Sequence, residues 1–74
     1  MITKNEQSTK IAMEGVISEL ARLLSEAAAY ATEAEQAIKK GERNLAVGTL
    51  LSAEAAIQAI GPLFAATLSL HRNR

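Results

Sequence analysis

The chain has 74 residues, eight basic and eight acidic side chains, and no net formal charge. It contains no cysteine, which excludes disulfides and thiolate metal sites, and one histidine without any aspartate, which leaves a His/carboxylate metal site short of ligands. A single domain this small normally needs disulfides, a metal or self-association to be stable, and only the last is open to it.

Alanine is the commonest residue, glutamate the only acid, and the aromatics are limited to Tyr30 and Phe64. This is the composition of long helices in close contact, and it lacks the β-branched and aromatic content of sheets.

The first predicted element is a long helix over about 4–40. Thr3 and Glu6 have capping-box spacing, each able to satisfy a free amide N–H of the first turn. Gly15 costs about 1 kcal/mol relative to alanine but removes no hydrogen bond. Lys39 and Lys40 fall in the last turn, where cations suit the carbonyl end of the helix dipole, and Gly41 is the natural left-handed cap. Met13, Ile17, Leu20, Leu24, Ala27, Ala31, Ala34 and Ile38 follow one another at alternating steps of four and three. That spacing draws a continuous apolar seam down one side of the helix. Val16, Leu23, Tyr30 and Ala37 flank the seam on one side, and Ala21 and Ala28 on the other. The stripe is therefore wider than one neighbouring helix covers.

A turn over 41–44 is short enough to force antiparallel neighbours, with Asn44 as the expected cap of a second helix over about 45–71. A second ladder runs through Ala46, Leu50, Ala53, Ile57, Ile60 and Phe64, and Glu54 is the only charge between Leu45 and Leu70. A helix apolar on most sides is buried on most sides. Pro62, preceded by Gly61, lacks a backbone donor and crowds the carbonyl four residues back, so a kink is expected near Gly61-Pro62, with a separate third helix from Pro62 to His71 as the alternative.

The predicted fold is all-α: one antiparallel helical hairpin over 1–74, its second helix kinked, assembling into a homo-oligomeric helical bundle. The expected oligomer interface comprises Ile17, Leu20, Leu24, Ala27, Ala31, Leu50, Ile57, Ile60 and Phe64. Leu23, Tyr30, Leu51, Leu63 and Leu68 form the candidate surface for a second protein, because leucines off the main seam are surplus to one hairpin. The layout resembles that of small hairpins that dimerise into four-helix bundles and of helical-hairpin chaperones of secretion systems. No residue motif carries that resemblance, so it implies architecture alone.

An antiparallel layout gathers Lys4, Lys10, His71, Arg72 and Arg74 at one tip and Lys39, Lys40 and Arg43 at the other, around a waist rich in glutamate. Lys39, Lys40, Arg43, Arg72 and Arg74 are the candidate anion-binding residues. Cations near helix C-termini are also expected without any ligand. The acidic waist and the want of aromatic platforms disfavour nucleic acid. The serines lie in helical stretches without a Gly-x-Ser-x-Gly turn, and no nucleophile–base pair can be assembled, so no catalytic, metal or cofactor residues are predicted. The polar opening residues lack the pattern of a secretory signal, which predicts a cytoplasmic protein. The uncharged run from Ala55 to Leu70 is sixteen residues, short of the roughly 20 needed to span a bilayer. The expected function is a non-enzymatic interaction protein: an adaptor, inhibitor or chaperone-like regulator that binds a protein partner as a homo-oligomer. The alternatives are an oligomeric binder of a small anion such as a nucleotide, and a membrane-associated hairpin.

Overall fold

A computed structural model of the chain describes residues 4–72. Three helices occupy these residues in the order α1 (Lys4–Lys39), α2 (Arg43–Ser52) and α3 (Glu54–Arg72). Thr3, and with it the expected capping box, lies outside the described residues. The 36 residues of α1 at 1.5 Å each give roughly 54 Å, which accounts for the longest dimension of the molecule, 57 × 17 × 13 Å. Its solvated side carries the ion pairs Lys10–Glu14 (3.3 Å), Glu35–Lys39 (3.7 Å) and Glu19–Arg22. Each is an exposed intrahelical pair that contributes a few tenths of a kcal/mol at most.

α1 ends as a helix followed by glycine should. Gly41 takes the left-handed conformation, φ 79°. The Glu42 N–H donates to the Ala37 carbonyl (2.9 Å) and the Gly41 N–H to that of Ile38 (3.0 Å). These two bonds are the Schellman closure, and they satisfy carbonyls the helix end would leave unpaired. The turn is consequently tighter than 41–44. Glu42, not Asn44, stands at the N-cap of α2, without a side-chain cap bond, and Asn44 lies inside the first helical turn.

The second helix breaks at Ala53 rather than at Gly61-Pro62. The Ala53 N–H turns to the Leu50 carbonyl (3.0 Å), a bond one residue tighter than an α-helix makes. The Ser52 hydroxyl donates to the Gly48 carbonyl (3.4 Å), the local back-bonding that bends helices. α2 and α3 meet there at 43°. Pro62 lies within α3. Gly61 has no Cβ to collide with the proline ring, so the residue before the proline keeps helical backbone angles that another side chain would resist. A third helix exists, but it begins at Glu54.

α2 and α3 both pack on α1 as the chain runs back along it. Ala34, Ala37 and Ala46 form the core next to the turn. At the far end His71 lines a cleft together with Asn5, Thr9 and Met13. Among the described residues the buried side chains are Leu23, Ala34, Ala37, Ala46, Ala53 and Ala56, all but one of them alanine. Half-buried Met13, Val16, Leu20, Ala27 and Tyr30 complete the α1 seam, and Thr49, Ile60, Leu63, Thr67 and Leu70 complete the facing one. Both seams keep the 3–4 rhythm but are rotated by one residue from the expected ladders. The chain packs on itself through Val16, Leu23, Tyr30 and Ala37 instead of Ile17, Leu24, Ala31 and Ile38. On the return helices it uses Thr49, Ala56 and Leu63 instead of Leu50, Ile57 and Phe64. The alanines of the observed seams, Ala34, Ala37, Ala46, Ala53 and Ala56, suit a close approach of helix backbones on the return-helix side and next to the turn.

Candidate functional site

The rotation of the seams leaves a second set of large apolar side chains in solvent. On α1 these are Ile17, Leu24 and Ile38, with Ala31 between, each seven residues or a multiple of seven from the next. On α2 and α3 they are Leu50, Ile57 and Phe64, again seven apart and 46%, 53% and 57% exposed. A seven-residue interval returns to nearly the same side of a helix, so each set is a straight row. On α1 and on the return helices alike, every member stands one residue after the seam position that ends a step of three. When a helix runs back along another, positions related in this way lie on the same side of the pair. The two rows therefore form one apolar face two helices wide.

The opposite side differs. There α1 presents Glu19, Glu26 and Glu33, also seven apart, all exposed. The face is thus one-sided, flanked by Ala21 and Ala28 on α1 and by Val47 on α2. A shallow hollow at its edge is lined by Val47, Leu50, Leu51, Glu54, Ile57 and Gln58. α2 also exposes Leu45 (56%), on the glutamate side, and Leu51 (61%), on the outer rim of the hollow. Four large apolar side chains are spread around a helix of ten residues.

Of the interface residues expected from sequence, Ile17, Leu24, Ala31, Leu50, Ile57 and Phe64 are exposed on this face. Leu20, Ala27 and Ile60 are half-buried in the chain's own seam. Of the expected partner surface, Leu51 is exposed, while Tyr30, Leu63 and Leu68 are half-buried. Leu23 is buried against the return helices, which leaves no side chain for a partner to hold. The ladders pass over Leu45 and Val47, whose only signal in the sequence is the near absence of charge around α2.

The basic residues do not converge on a built pocket. Lys39 pairs with Glu35, and Lys39 and Lys40 sit at the carbonyl end of α1, where the dipole favours them. Arg43 lies in the first turn of α2, the end where a cation is disfavoured. Arg72 is in the last turn of α3, and Arg74 lies outside the described residues. The larger cleft, lined by Asn5, Ser8, Thr9, Lys10, Glu14 and His71 among others, opens between the start of α1 and the end of α3. Among the described residues no group of three histidine or acidic side chains is placed to hold a metal. No single described helix is long and apolar enough to cross a membrane, although α2 and α3 together pass on length and composition as a bent pair. Comparison with protein-family models, with characterised proteins and with solved structures finds no match for the chain.

Proposed function

We propose that the chain is a non-enzymatic interaction protein: a helical hairpin that works as a homo-oligomeric bundle and holds a protein partner as an adaptor, inhibitor or chaperone-like regulator. The observation that carries this reading is α2. Leu45, Val47, Leu50 and Leu51 are exposed around its circumference, and a surface patch of that kind marks a docking site. A second copy seated on one face cannot reach the far side of the same helix. Leu45, on the glutamate side, is therefore left for a different protein. Leu51, on the outer rim of the hollow at the edge of the face, extends the patch such a partner can hold, in the manner of a helix laid in a groove.

The test is a paired capture experiment with wild type and the Leu45→Lys/Leu51→Lys variant, both tagged and incubated with host lysate. The substituted side chains are exposed, so the variant should keep its helicity and its mass in solution. It should lose the protein that wild type retains. Equal recovery by the two proteins overturns the reading.

A further inference from the structure

We infer that the face built from the rows Ile17–Leu24–Ile38 and Leu50–Ile57–Phe64 is the seat of a second copy of this chain, and that two copies close into a four-helix dimer. This inference rests on the oligomeric reading above and specifies its surface and its number. Three observations select the occupant.

The first is area. A compact chain of 7.9 kDa is expected to expose roughly 4,400 Å², whereas this one exposes 5652 Å². The excess, roughly 1,200 Å² per chain, is area that a 57 × 17 × 13 Å rod presents along its length, and it falls in the range each subunit contributes to an obligate dimer interface. The second is the core. Leu23 is the only large side chain buried within one chain among the described residues, and alanine seams alone remove too little apolar surface to sustain a domain of this length. The missing large side chains are the ones standing in the two rows. A second copy supplies the same rows in the same spacing, so each row finds an apolar counterpart of equal length, as a two-fold interface requires.

The third observation fixes the number. The other side of the pair carries Glu19, Glu26 and Glu33 in a row. Two copies meeting there would take these carboxylates out of water, against each other or against uncharged positions of the return helices. Association through the apolar face leaves this acidic side outward, so the assembly closes at two and does not grow into a stack or filament.

The experiment combines mass with accessibility, and the absence of native cysteine makes single-cysteine variants clean probes. Sedimentation equilibrium of the whole chain without detergent should give twice 7.9 kDa. In Ile57→Cys the thiol should react roughly tenfold or more slowly with a maleimide at high protein concentration than after dilution, by mass action. In Glu33→Cys it should react fast at both. Both substitutions fall at exposed positions, and circular dichroism at the two concentrations reports whether either variant has unfolded. A dimer in which the thiol of Glu33→Cys is protected and that of Ile57→Cys is not overturns the face while leaving self-association intact. A mass above two chains overturns the closing role of the glutamate row. A monomer whose Ile57→Cys thiol is labelled at full speed overturns this inference and the oligomeric reading together, as does a chain that stays in solution only with detergent. In that last case a lipid surface is the occupant.

Discussion

Ala53 is the most enclosed of the described side chains, 1% exposed, and it sits where α2 hands over to α3. Its methyl group faces the last third of α1, about level with Tyr30, at a point where the backbone has no spare hydrogen bond to give up. The Ala53 N–H is already committed to Leu50, and the Ala53 carbonyl accepts from Ile57 (2.9 Å). Any larger side chain must push the return helices off α1 or twist out of its rotamer. Ala53→Leu is therefore expected to destabilise the fold by about 1–3 kcal/mol, as overpacked cores do, read as a lower urea midpoint at fixed protein concentration. A gain in stability from this substitution would show that the alanine seam is loose rather than close-packed.

The elements obey the same steric logic. α3 contains a proline that removes one helical hydrogen bond, and Gly61 before it adds backbone freedom that folding must take away. α3 survives because Gly61 relieves the steric clash and because Ile60 and Leu63 on either side pack toward α1. Pro62→Ala should restore the donor to the carbonyl four residues back, at Gln58, and stabilise the fold by up to about 3 kcal/mol, with a higher melting temperature and no loss of helical circular dichroism. A decrease would mean that the proline shapes the assembled interface. The break at Ala53, by contrast, is marked by the Ser52 hydroxyl bond to the Gly48 carbonyl and the short bond from Ala53 to Leu50. Neither is a strong stop signal, since Thr67 makes the same kind of bond to Leu63 within an unbroken α3. That is why the proline stands out in the sequence and the serine does not. The helical class and the extent of α1 can be read from composition, spacing and Gly41. Which of two equivalent 3–4 ladders faces inward cannot be read from spacing alone, since Ile17, Leu24 and Ile38 recur as regularly as Val16, Leu23 and Ala37. Reflection about the turn does separate them. Ala37 and Ala46 lie equally far from the centre of a two-residue turn, as do Ala34 and Thr49, Tyr30 and Ala53, Ala27 and Ala56, Leu23 and Ile60, and Leu20 and Leu63. Reflected in the same way, Leu50, Ile57 and Phe64 fall level with Glu33, Glu26 and Glu19. The expected ladders fail that reflection and the observed ones pass it, but applying it requires knowing that the turn closes at Gly41 and Glu42.

At the scale of the whole molecule, a rod of 57 × 17 × 13 Å with an alanine core has little to lose on melting unless something covers its second apolar face. If two copies provide the cover, folding and association are one equilibrium, and the stability depends on protein concentration. Each tenfold rise in concentration then adds about 1.4 kcal/mol to a dimer at 25 °C. Unfolding two chains of this length carries an entropy of about 0.3 kcal/mol/K, so the melting temperature should climb by about 4 °C per tenfold increase. The measurement is a thermal melt followed by circular dichroism across a hundredfold range of concentration. Phe64→Ser, which strips an exposed row of its largest side chain while leaving the in-chain seam untouched, should lower every melting temperature in the series. It should also leave the variant's own melts dependent on concentration for as long as dimers form. Melts that superimpose at all concentrations would mean that the close approach of alanines along α1 holds the chain together unaided, and the exposed rows would then have to be accounted for by a partner of another kind.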